Sequence, residues 1–132
     1  MNSNPKPKPW EVEKESSEDL LVILSMNEDS PKEASLAFNE FFKRFSKFVW
    51  QQSQSISTNL PWPAEDLARA ILSNTFLKVQ AKAGAYDPKK NSTTNADHGI
   101  ELWLAGIIKN EYKQLVSHSS EDQKVAKEDY LR

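Results

Sequence analysis

The chain has 132 residues, 38% of them apolar and 27% charged, which suffices to bury one modest core. It contains no cysteine, which excludes a disulfide framework and a thiolate zinc site, and no stretch approaches the roughly 18 apolar residues of a membrane span. The formal net charge of −2 hides a division: residues 1–30 carry three lysines against seven acids, residues 31–118 eleven bases against eight acids, and residues 119–132 three bases against four acids. A modestly basic centre permits phosphate contacts but lacks the dense Lys/Arg clustering of a stand-alone duplex binder. The opening MNSNPKPKPW has no apolar run behind its lysines and does not read as a secretory signal, so a soluble cytoplasmic protein is expected.

In chain order the sequence predicts an arm and four helices, an all-α bundle with no alternating strand pattern. Residues 1–16 are proline-spaced and charged and are expected to be disordered, with Trp10 alone able to dock. Ser17 is placed to cap a short helix over 17–27, with Glu18 and Asp19 in its first turn and Leu20, Leu21, Ile23 and Leu24 on its apolar side. Ser30, Pro31, Lys32 and Glu33 spell a capping box with proline at the first helical position. Ala34, Phe38, Phe41, Phe42, Phe45, Phe48 and Val49 then recur at three- and four-residue steps, so the second helix is expected to run to about residue 53. This aromatic stripe is a core face rather than a stacking platform, and Lys43, Arg44 and Lys47 lie on the solvated side.

Residues 54–63, with two prolines around Trp62, read as a loop. A third helix is expected over 64–83, stopped by Gly84 in the left-handed conformation. Leu67, Ala68, Ile71, Leu72, Thr75, Phe76 and Val79 line its buried side, while Asp66, Arg69, Ser73, Leu77 and Gln80 face outward. Leu77 is the odd member of that outer face and a candidate partner contact. A long polar connection over 85–99 leads to a fourth helix over 100–117, and residues 119–132 extend it or form a linker.

Three strings carry a resemblance. LSNTFLKV at 72–79, the turn Tyr86-Asp87-Pro88, and WLAGIIKNEYKQLV from Trp103 occur in an order and at a spacing that resemble the second conserved region of bacterial RNA polymerase sigma factors, most like the extracytoplasmic-function group. The likeness spans 19–118, within a domain taken as 17–118. It implies a domain that binds the clamp region of the largest polymerase subunit and recognises and melts the promoter minus-ten element. The third helix would then meet polymerase through Asp66, Arg69, Ser73, Asn74, Leu77 and Gln80. The non-template strand would meet Tyr86 and Trp103 as stacking surfaces, Asn91 and Asn110 as base-edge partners, and Lys89, Lys90, Lys109 and Lys113 as phosphate contacts.

The chain departs from that pattern in three places. Glu65 and Asp66 stand about one turn upstream of where the group carries its acids, STTNADHG at 92–99 looks inserted, and the group's helix-turn-helix domain has no counterpart within the 132 residues. An alternative reading is a protein-only module that binds an anti-sigma factor or mimics a sigma factor without touching DNA. Catalysis is not expected: His98 and His118 lack metal-ligand spacing, three glycines build no phosphate-cradling loop, and Glu65 and Asp66 splay apart as helical neighbours. No cofactor or metal is expected either.

Overall fold

The computed structural model describes residues 10–57, 63–90 and 95–130, with side chains as far as residue 117. Its first long helix, α1 (Ser17–Ser25), starts where the hydroxyl of Ser16 accepts the amide of Asp19 at 3.1 Å. The cap therefore falls one residue before the expected Ser17. Ser17 is buried instead, and its Oγ accepts a bond from Arg44 Nη1 at 3.2 Å. That arginine also donates to the carbonyl of Glu13 at 3.0 Å and to Glu40 at 3.1 Å. It is thus not a solvated bystander but a clasp that holds residues 10–17 against the second helix. Within this stretch Val12–Lys14 form one 3-10 turn, Val12 packs on the core, and Trp10 Nε1 donates to Glu15 at 2.9 Å. Residues 1–9 of the expected arm lie outside the described residues.

Helix α2 (Pro31–Ile56) has proline at its first position, but the predicted capping box does not form, since Ser30 makes no side-chain cap bond. The amide that Glu33 would reach is already committed, because Ser30 N–H and Asp29 N–H both close on the carbonyl of Met26, at 2.9 and 3.1 Å. Ala34, Ala37, Phe41, Phe45 and Val49 are buried, a three- and four-residue stripe. Phe76 of α3 (Ala64–Lys82) inserts among Phe38, Phe41 and Phe42 at centroid distances of 6.2, 6.4 and 4.7 Å. Phe42 is 40% exposed, so it forms the rim of this cluster and not its centre. The segment 58–62, which includes Trp62, lies outside the described residues.

Helix α3 buries Leu67, Ala68, Ile71, Thr75, Phe76 and Val79 and leaves Leu72 half-buried. Its end differs from expectation. No described glycine has positive φ; the helix instead tightens into a 3-10 turn, Ala83–Ala85. The turn packs against α1, and a Cβ on Gly84 would lie 3.4 Å from Ser25 Cβ, so a small residue suits the contact.

Helix α4 (Ala96–Tyr130) begins four residues before the expected position 100. Asn95 explains the early start: its Oδ1 accepts the Asp97 amide at 2.9 Å and its carbonyl accepts the Gly99 amide at 3.2 Å. Much of the apparent insertion is therefore helix, and only residues 91–94 of the connection lie outside the described residues. The backbone continues as helix past residue 118 to Tyr130.

Together α1–α4 form an all-α bundle in which α2 packs on α1, α3 and α4, and α3 packs on α4. Leu20, Leu21, Phe41, Leu67, Ile71, Ile100 and Leu104 lie at its centre, essentially without exposure. Each such side chain contributes about 1.5–3 kcal/mol on burial. Among the described residues no helix is long and apolar enough to cross a membrane.

Candidate functional site

The turn after α3 is built by Asp87. Its Oδ1 accepts the Lys89 amide at 2.9 Å and its carbonyl accepts the Lys90 amide at 3.2 Å, an Asx-type turn that presents both lysines to solvent. Just before it, Tyr86 is half-buried and meets Trp103 of α4 edge to face, with centroids 5.3 Å apart and planes at 62°. This ring contact ties the turn to the fourth helix. Both rings also pack against the core, so each offers part of its surface, rather than two open faces, to a ligand.

Along α4 the candidates Lys109, Asn110 and Lys113 are all exposed. Leu102 and Gly106 share the same outer stripe, Leu102 being 49% exposed and Gly106 having nothing within 4 Å of where a Cβ would stand. Glu111, between the lysines in sequence, turns inward and is 5% exposed, so it does not interrupt the basic face. From Trp103 to Lys113 is ten residues, a run of about 15 Å at helical rise. Asn91 lies outside the described residues, so its relation to this face is not part of the geometry.

Electrostatics near Tyr86 point the other way. Its phenol is held above the ordinary value of 10.0, first by burial and then by the negative charges of Glu18, Asp87 and Asp97. The negative charge of those three carboxylates acts at the ring that would stack a base, while the lysines lie in the turn beyond it and farther along α4.

A second surface lies on α3. Asp66, Arg69, Ser73, Leu77 and Gln80 are exposed there and Asn74 is half-buried. Arg69 pairs with Glu65 at 2.6 Å with both side chains about two-thirds exposed, a pair too solvated to contribute much stability. Leu77, at 62% exposure, is the most exposed of the large apolar residues described. Sequence reasoning missed three features. Phe42 is an exposed aromatic on the α2–α3 seam, hidden in a stripe that looks uniformly buried. Gly106 and the buried Glu111 were likewise missed as features of this face, although helical phase, which sets Glu111 about 160° around the helix from both Lys109 and Lys113 at 100° per residue, was a usable signal for the latter.

Among the described residues no cluster of His, Asp and Glu is arranged to hold a metal ion. Comparison with known proteins finds no matching family model, no matching curated sequence and no matching solved structure.

Proposed function

We propose that this bundle is a sigma-factor-like domain that binds core RNA polymerase through the outer face of α3 and captures the non-template strand of the minus-ten element along α4. The observation that carries the reading is the separation of two differently built faces on one rigid core. Leu77 stands exposed on α3. Lys109, Asn110 and Lys113 stand exposed on α4, about two to three helical turns beyond the Tyr86–Trp103 pair. A face with an unpartnered leucine suits a protein, whereas cations, an amide and aromatic edges suit an unstacked strand. Affinity comes mainly from polymerase in this arrangement, since the basic face is too thin to hold DNA alone. The reading places the chain in the cytoplasm.

The test is polymerase capture with a single-stranded minus-ten oligonucleotide. Lys109→Ala with Lys113→Ala is expected to retain the enzyme and lose about tenfold in oligonucleotide affinity, because two exposed phosphate contacts are removed. Leu77→Glu is expected to weaken polymerase binding while leaving the thermal transition in place, its side chain being mostly in water already. Wild-type chain that binds polymerase yet shows no preference for the oligonucleotide sinks the promoter half of the proposal.

A second reading has one specific observation in its favour. The acidic surroundings of Tyr86 repel phosphate, as suits a module that docks only on proteins, an anti-sigma factor among them. Glu18→Gln with Asp97→Asn distinguishes the two. Tighter oligonucleotide capture by that variant favours strand reading, and an unchanged result favours the protein-only module.

A further inference from the structure

Two adjoining hollows run along the side of α1 that faces the α3–α4 turn, away from the outer face of α4. The larger, of about 720 Å3, lies between the end of α1 with its following turn and the end of α3. The smaller, of about 200 Å3, continues from it past Gly84 towards Tyr86, and the two meet at Ser25, Ala83 and Gly84. Small residues make the floor. Two exposed apolar side chains one helical turn apart, Val22 at 55% and Met26 at 44%, stand along the wall.

The charge of this groove is one-sided. Glu18 and Asp19 line one end and Glu28 and Asp29 the other, while Lys82 is the one base among the residues lining either hollow. Among the described residues none of these four acids has an ion-pair partner. Glu28 and Asp29 lie between the C-terminus of α1, which has no basic residue in its last turn, and the N-terminus of α2 at Pro31, whose dipole favours them, so their charge is held without an internal cation and stays open to one from outside.

We infer that the groove beside α1 docks a basic, amphipathic helical segment of a partner protein, with apolar side chains on Val22 and Met26 and Lys or Arg at the two acidic ends. Nucleic acid and anionic lipid do not fit, because their charge matches that of the walls. Helix α1 is nine residues, about 13 Å, so the groove accepts two to three turns of a peptide helix whose contacts repeat at three- and four-residue steps. The site shares Gln80 with the α3 face and, at its Glu18 end, Tyr86 with the candidate strand site, but none of the exposed residues Lys109, Asn110 and Lys113 of α4.

The experiment titrates the full chain, observed by amide NMR, with a synthetic helix bearing leucines at i, i+4 and i+7 and lysines between, and with a control carrying glutamates in place of the lysines. The basic peptide is expected to bind with shifts centred on Val22, Met26 and Gly84, the control not to bind, and Glu28→Lys with Asp29→Lys to weaken the interaction about tenfold. The exposed pair Val22→Thr and Met26→Gln gives a second arm that spares the core, and it is expected to weaken binding while keeping its salt dependence. Equal binding by the charge-reversed variant, or shifts centred elsewhere, overturns the inference. So does a change at Val22 and Met26 without peptide, either on deletion of residues 1–9 or with rising protein concentration, since the groove would then belong to this chain's own leader or to a second copy.

Discussion

Arg44 shows how one side chain decides where a fold begins. Its guanidinium reaches Glu40 on its own helix, Ser17 on α1 and the carbonyl of Glu13, and its side chain is 23% exposed. Bonds from a charged donor in a partly shielded site are worth about 1.5–3 kcal/mol each at the upper end, and they share one cation here. Arg44→Ala is therefore expected to lower stability by about 1–3 kcal/mol and to free residues 11–17. Urea denaturation measures the first effect and amide exchange the second; unchanged protection at 11–17 removes the clasp from the account. Tyr86 carries a pH signature. Its native value is raised above 10.0 by burial and by Glu18, Asp87 and Asp97, so the native state holds the phenol proton more tightly than the unfolded chain does. The associated stability is whole below the unfolded value and is lost as pH rises through the native one. Urea midpoints of wild type and Tyr86→Phe, compared between roughly pH 8 and 11, should show a steeper alkaline loss in wild type, and parallel curves contradict it.

At the scale of elements, apolar spacing was a reliable guide and chain ends were not. The stripes of α2 and α3 read from the sequence are those that pack, because a helix buries side chains at three- and four-residue steps whatever its neighbours. Caps depend on which amides are already taken, and that is a tertiary fact. Ser17 lost its capping role to Ser16 because Arg44 claims it, and Ser30 lost its box because Met26 already holds the amide. The extra turn of α4 rests on Asn95, a residue that the sequence presents equally well as loop. The candidate faces were legible as helix positions, but not the carboxylates around Tyr86, which come from α1, the turn and α4. Gly106 is an element-scale test of what approaches α4. A Cβ there meets nothing within 4 Å, so Gly106→Ala should stabilise the free chain by about 0.5–1 kcal/mol through helix propensity. If the strand lies close against the helix backbone, the same variant should weaken oligonucleotide capture by the polymerase complex, and unchanged capture moves the strand off that stripe.

For the whole molecule, charge separates into regions that the net value of −2 averages away. Acids collect along α1 and the turn after it, whereas the exposed lysines of the candidate strand face are Lys89, Lys90, Lys109 and Lys113. Binding a single strand releases counterions in proportion to the phosphates neutralised, with a slope of about −0.7 in log K against log salt per contact. With four lysines available, the contribution of this domain to that slope is bounded at about −3, and the acids around Tyr86 should hold it shallower still. Oligonucleotide affinity of the polymerase complex, measured across a salt series with wild-type and Lys109→Ala, Lys113→Ala chains, should differ in slope by about 1.4 if both lysines meet phosphate. A drop in affinity with no change in slope means the lysines act through the fold or through protein contacts instead. A steeper wild-type slope than the four lysines allow means that the counterions are released by polymerase, and the domain then contributes geometry and aromatic surface rather than charge.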